Sequence, residues 1–367
     1  MTLKEGIFEE TEEPPSLDWH WQLKNRIQTL SELKSFFPTL ELTENLLLAE
    51  SKFPMAITPY YASLIKSCDP SDPIFAMSVP QAEELIENQY LSNDPLHEEG
   101  HMPFPFLVHR YHDRVLLIST GTCGVYCRHC TRKRIAGRDN RVISSEQLEQ
   151  VVSYLKEHPE VHDVIISGGD PLTLSTSALE KIISQIRSVS TVDIIRIGSR
   201  VPVIMPMRIT DELTNMLKKY HPIFINTHFN HPDEITKEST YACGQLVNAG
   251  IPVGNQTVLL KGINDNPEII EKLCRGLIKI RVRPYYLFQC DLVNGTEHFR
   301  TDISCGIEIM HYLRGRLSGL AIPNFIVDLP NGGGKIELLP NYILSNEKDN
   351  IVFQNDKGEI FNYPHSN

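Results

Sequence analysis

The spacing of apolar residues changes near residue 110. Before it, Trp21, Ile27, Leu30 and Leu33 recur at helical spacing within Asp18 to Phe37, with Thr29 and Ser31 as interruptions. That pattern predicts short helices that pack against, or cap, a larger body. From Arg114 onward, β-branched runs alternate with amphipathic segments. The runs cover 114–120, 163–168, 193–199, 222–229, 252–260 and 282–289. Between them, SSEQLEQVVSYLKEH carries a capping box at Ser144 and Gln147, and Ser177 with Glu180 shows the same device before LEKIISQI. Pro267 in NPEIIEKLCRGLIKI suits a first helical turn, where its missing N–H costs little. This alternation predicts a parallel α/β sheet covered by helices, as a barrel or an open sheet. Chemistry is then expected at the C-terminal ends of the strands.

Composition narrows the partners. The chain has 367 residues, 41% hydrophobic and 22% charged, enough for a real core. A net charge of −11 argues against general attraction to nucleic acid. No run of apolar residues is long enough to predict a membrane span. The opening MTLKEGIFEETEEPP is acidic and lacks the apolar centre of a signal peptide. Of the 8 cysteines, only Cys123, Cys127 and Cys130 cluster. Reduced thiols in the cytoplasm, with one metal or redox site, are the expectation.

The cluster reads CGVYCRHCTRKR and follows the first strand of the series. Cys127 and Cys130 could form a redox pair, or the trio with His129 could hold zinc. His129 adjoins Cys130, however, and neighbouring side chains on a short loop rarely converge on one tetrahedron. Three thiolates suit a [4Fe–4S] cluster that keeps one iron open. The basic run Arg128, Arg132, Lys133 and Arg134 is not expected to bind nucleic acid beside such ligands, and three of its members receive no specific duty. Next comes ISGGDPL, where Gly168 and Gly169 allow close backbone approach. In NTHFNHP, His228 and His231 lack an acidic third ligand, so a hydrogen-bonding strand end is expected there. NGGGK ends in Lys335 followed by Ile336, where a nucleotide P-loop needs Ser or Thr, which argues against one. A glycine arm carrying a Schiff-base lysine is the alternative to a plain turn.

The cysteine spacing, with an aromatic before the second cysteine, resembles the radical S-adenosylmethionine superfamily. The ordered motifs SLDWHWQLKNRI, MAITPYY, SCDPSDP, DPLHEE, HRYHDRVLL, CRHCTRKR, IRIGSRVPV, NTHFNHPDEIT, GNQTVLLKGIND, RVRPYYLFQCDL, EHFRT and NGGGK resemble the lysine 2,3-aminomutase family from about residue 16 to 363. The resemblance implies an α/β fold: an N-terminal helical region (1–108), a radical S-adenosylmethionine partial (β/α)6 barrel (109–330) and a short C-terminal extension with the lysine arm (331–367).

It also implies roles. Cys123, Cys127 and Cys130 would ligate the [4Fe–4S] cluster, whose open iron chelates S-adenosylmethionine, with Tyr126 near the adenine. Ser167, Gly168, Gly169, Asp170, Asn255 and Gln256 would help hold that molecule. Lys335 would be the catalytic lysine, holding pyridoxal 5′-phosphate as the internal aldimine, with Arg114 on its phosphate. Arg132 would bind the substrate carboxylate, and Asp291 with Asp328 the distal ammonium of L-lysine. The implied reaction is an amino migration from L-lysine to β-lysine, started by a low-potential electron donor. Arginine as substrate, supply of β-lysine to an elongation factor, and a non-catalytic iron–sulfur or zinc module are the alternatives. Three departures stand out: Phe288 where relatives commonly carry tyrosine, Asn331 in place of a glycine, and no cysteine beyond Cys305. Zinc is therefore not expected, and a homo-oligomer is left open.

Overall fold

Polar residues on alternate positions of the strands decide how the sheet is used. The computed structural model describes residues 18–347 and 350–364, so the signal-peptide expectation for the first residues lies outside the described part. β1 (Leu107–Tyr111) pairs antiparallel with β2 (Arg114–Thr120). β3 (Asp163–Gly168), β4 (Ile194–Gly198), β5 (Ile223–Thr227), β6 (Val253–Leu259) and β7 (Arg283–Gln289) follow, each parallel to its predecessor. These match the expected runs to within two residues at either end. Two additions follow. β8 (Asn324–Leu329) is a seventh parallel strand, and β9 (Gly334–Glu337) returns antiparallel to it. One nine-stranded sheet thus runs in chain order from β1 to β9, the partial barrel.

Strand side chains alternate between faces. Val164 and Ile166 of β3, with Ile195 and Ile197 of β4, are buried beneath the helices. Their neighbours Ile165, Ser167, Arg196 and Gly198 line the inner cavity. A polar inner face is therefore built into the same strands that supply the core.

Most helix signals fall where expected. Ser144 and Gln147 form the capping box of helix Ser145–Glu157, and Asn266 caps Pro267–Lys279 with Pro267 in its first turn. The second box is displaced: Ser175, not Ser177, accepts from the Ala178 N–H and starts helix Thr176–Arg187. The cap needs an extended backbone, which Ser175 has and Ser177, already inside the helix, lacks. Thr29 closes a capping box with Glu32 at the start of Leu30–Phe36. β10 (Ile343–Asn346), β11 (Asn350–Gln354) and β12 (Ile360–Pro364) form a separate antiparallel sheet. No helix among the described residues is long and apolar enough to cross a membrane.

The N-terminal helices hold the cysteine loop. The Tyr126 N–H donates to Ala56 O at 2.9 Å and the Arg128 N–H to Met77 O at 3.0 Å. Arg128 is 1% exposed; its guanidinium donates to both Glu84 oxygens, at 2.8 and 2.7 Å, and to the Phe53 and Pro54 carbonyls. Lys133 Nζ reaches the same Glu84 carboxylate at 2.6 Å and lies over the Phe53 ring. Two of the unexplained cations are thus internal fastenings between the loop and the N-terminal region. Glu84→Ala would leave both buried and unpaired. Chemical unfolding should show a loss of roughly 3–5 kcal/mol.

Candidate active site

Strands β1 to β9 and the cysteine loop line a cavity of about 650 Å³. Its lining includes Cys123, Cys127, Cys130 and Tyr126, together with Lys335, Asp328, Asp291 and Arg114. Ser167, Gly168, Gly169, Asp170, Gln256 and Arg132 lie on its wall. Residues spread over more than two hundred positions meet because most sit toward or beyond the C-terminal end of a strand, or on the hairpin that closes the sheet, whereas Arg114 enters from the start of β2.

The three thiols are free and partly accessible. Among the described residues, no three His, Cys, Asp or Glu side chains converge tightly enough for a single metal ion. A cube offers a separate iron to each thiolate, so three sulfurs around one cavity suit it better than one ion. The loop is anchored by Arg26, whose guanidinium donates to the Cys123 carbonyl at 2.5 Å. The Arg132 N–H donates to Cys130 Sγ at 3.3 Å, and Arg200 Nη1 to Cys127 Sγ at 2.8 Å.

The GGD turn has a tighter cause than ligand access alone. A Cβ on Gly168 would fall 2.3 Å from the Thr120 carbonyl, and one on Gly169 2.3 Å from that of Thr122. The Gly169 N–H donates to Thr120 O and the Asp170 N–H to Thr122 O, which ties β3 to the start of the cysteine loop. The buried Asp170 carboxylate accepts from Ser199 Oγ at 2.6 Å and from the Leu172, Arg200 and Val201 N–H groups. It organises the ends of β3 and β4, while its residue still borders the cavity.

The structure does not bring Asn255 to the cavity wall. Its amide is fully buried, accepting from the Phe229 N–H at 2.7 Å and donating to Phe229 O and Thr257 Oγ1. Every group is used to pin the end of β5, so only its neighbour Gln256 faces inward. His228 does line the cavity, and burial pulls it down to about 4, so its imidazole is neutral. His231 instead caps the turn at Asp233.

Around Lys335, Tyr111 organises the cations. The Arg114 guanidinium stacks 3.9 Å from its ring centre and Arg110 5.0 Å away. The Tyr111 hydroxyl accepts from the Lys335 N–H at 3.2 Å and from Arg110 at 2.8 Å. Asp328 and Lys335 face one another across β8 and β9, with Nζ 2.5 Å from Oδ2, and Arg110 also pairs with Asp328. Asn331, Gly332 and Gly334 turn this hairpin with φ of 56°, 79° and 89°. Asn in place of glycine keeps the left-handed backbone. Phe288 lies 5.4 Å from Lys335 Nζ. Burial first, and then the Asp328 charge, push Asp291 up to about 7.

Arg132 carries a partner that sequence reasoning missed. Its Nε and Nη2 donate to Glu98, the closest contact being 2.6 Å, while Nη1 points to Ser167 Oγ and the Gly168 carbonyl. Arg134 pairs with Asp94, Glu98 and Glu99. Arg110, Tyr111, Glu98 and Arg200 were all present in the quoted motifs. Only a charged residue closing an apolar run, as in IRIGSR, marked any of them locally.

The sequence family described as Lysine-2,3-aminomutase matches residues 310–367, and the Radical SAM superfamily matches residues 117–273. The chain is 50% identical to an L-lysine 2,3-aminomutase of Acetoanaerobium sticklandii over 364 residues, covering 99% of this chain and 88% of that protein. It is 50% identical to an L-lysine 2,3-aminomutase of Clostridium subterminale, covering 97% and 86% respectively. It is 46% identical to a glutamate 2,3-aminomutase of Clostridioides difficile, covering 97% and 84%.

The two Arg partners hold Glu98 well below the usual carboxylate range against its burial, at about 2. A depressed carboxylate stabilises the fold above its unfolded value near 4.5 and loses that contribution as pH falls toward about 2. Glu98→Gln should therefore lower stability by about 3 kcal/mol at neutral pH. Denaturant titrations at a series of pH values should show the gap closing below about 4.5.

Proposed function

The chain belongs to the lysine 2,3-aminomutase family of the radical SAM superfamily, and on that premise we propose that it interconverts L-lysine and β-lysine using a [4Fe–4S] cluster, S-adenosylmethionine and pyridoxal 5′-phosphate. The observation that carries the reading is one cavity lined by three free cysteines, Lys335 and the acid pair Asp291 and Asp328. When bound, these groups supply a 5′-deoxyadenosyl radical to take a hydrogen from the substrate and a carbonyl with a conjugated ring to carry the migrating nitrogen.

The residues present suit those groups. Cys123, Cys127 and Cys130 would hold the cluster, and Tyr126, Ser167, Gly168, Gly169, Asp170 and Gln256 would border S-adenosylmethionine. Lys335 would bind pyridoxal phosphate through Nζ, with its phosphate toward Arg114, whose planar guanidinium can donate two parallel hydrogen bonds. Arg132 would orient the substrate carboxylate through Nη1, the edge that Glu98 leaves free.

Asp291 and Asp328 would receive the distal ammonium. A buried cation requires counter-charge, and an acid pair suits lysine or arginine and repels a side-chain carboxylate. That separates this site from one built for glutamate. Positioning is the main task of the walls, because a misplacement of about 1 Å can cost roughly 100-fold in rate.

Anaerobically reconstituted protein should convert L-lysine to β-lysine when given S-adenosylmethionine and a low-potential reductant. β-Arginine from L-arginine, with no β-lysine, would overturn the substrate. No product, together with no pyridoxal absorbance, would leave a non-catalytic module. Lys335→Ala should abolish turnover and the absorbance of lysine-bound pyridoxal phosphate, whereas Cys127→Ala should abolish turnover and keep that absorbance. Asp291 also gives the reaction a pH signature. Its carboxyl is half protonated near pH 7, and a bound ammonium favours the carboxylate. Affinity for lysine should rise as pH climbs through about 7 and weaken below it. Asp291→Asn should raise KM at least roughly 100-fold and flatten that profile.

A further inference from the structure

We propose that Arg200 is a positioning residue that sets the reduction potential of the cluster through Cys127, an inference that rests on the cluster reading above. Arg200 follows β4, is 6% exposed, and donates from Nη1 to Cys127 Sγ at 2.8 Å. Among the described residues, no other cysteine of the trio has a guanidinium hydrogen bond to its sulfur; Cys130 receives only a backbone N–H.

The guanidinium is held from several sides. Its Nη2 donates to Glu234 Oε1 and to the Tyr61 hydroxyl, each at 2.8 Å, and its Nε to the His228 carbonyl at 3.3 Å. Glu234 is itself fully buried, accepting from the Tyr61 hydroxyl and from the Asn230 and His231 N–H groups. The Arg200 N–H donates to Asp170 Oδ2 at 2.7 Å. One residue therefore joins the N-terminal region, the loop after β5, the GGD turn and one thiolate.

A guanidinium in this position has a defined electrostatic effect. Reduction adds one electron to an already anionic cluster, and a buried positive charge hydrogen-bonded to a ligand sulfur stabilises the reduced form more than the oxidised one. Low dielectric strengthens that preference relative to water. Glu234 tempers it by balancing part of the charge. Arg200 thus eases electron entry, and its fixed anchoring keeps the effect constant while ligands come and go.

The test is an EPR-monitored redox titration of the reconstituted full chain without S-adenosylmethionine, with iron and sulfide counted for each variant. Arg200→Gln should lower the equilibrium constant for reduction about tenfold, equivalent to 59 mV for a one-electron couple. Arg200→Lys, which keeps the charge, should fall between Gln and wild type. Glu234→Gln removes the counter-charge and should shift the potential upward. A fully loaded Arg200→Gln protein with the wild-type potential would overturn the proposal. Should that variant take up no iron, Glu234→Gln decides: an unchanged or lower potential rejects the role. A wild-type chain that forms no [4Fe–4S] signal would instead reject the underlying cluster reading.

Discussion

Buried positive charge on the cysteine loop is the constraint around which the rest is arranged. The loop must present three thiolates to a common space, and cations nearby favour the anionic sulfur. Cations taken out of water must in turn be paired, because each one left alone costs several kcal/mol. Glu84 answers Arg128 and Lys133, Glu98 answers Arg132 and Arg134, and Glu234 answers Arg200. None of the three acids lies in the cysteine loop, and Arg200, which follows β4, meets the loop through its hydrogen bond to Cys127 Sγ. Charge balance therefore fastens the N-terminal helices and the turn after β5 to the cysteine loop, and apolar packing completes the join.

The parallel sheet supplies the second half of the design. Its outer face is aliphatic and buries the helices, while its inner face carries the residues that meet ligands. Because side chains alternate, one strand can serve both purposes without compromise. The strand that carries Asp163, Ile165 and Ser167 inward turns Val164 and Ile166 outward. Function and stability are separated by pleat, not by domain.

The strand rhythm was readable because β-branched runs of five to seven residues, bounded by capped helices, have few alternative uses. β8 escaped notice because only Phe325 and Ile326 are buried there, too short an apolar stretch to stand out. The cysteines and Lys335 stand out in local pattern, and the fold brings them to one cavity. Glu98 was not, since an acid in DPLHEE looks like any surface residue until Arg132 is placed beside it. Asn255 misled for the opposite reason: it adjoins Gln256, yet pleating sends the two side chains to opposite faces. Long-range pairing and strand facing are properties of the folded chain, and a motif read along one dimension contains neither.

The β8–β9 hairpin shows how closely register and chemistry are bound. Asp328 and Lys335 are directly opposed, so their side chains share one face of the sheet. A slip of one residue would turn Lys335 away from the cavity and bring Gly334 or Ile336 opposite Asp328. The turn that prevents this needs left-handed backbone at Asn331, Gly332 and Gly334. Glycine meets that need without strain, and Asn tolerates it better than other residues with a Cβ. The glycines before Lys335 therefore do more than loosen an arm. They set the register that holds the lysine and the acid in one site, so a side chain at Gly334 would strain the turn before it touched any ligand.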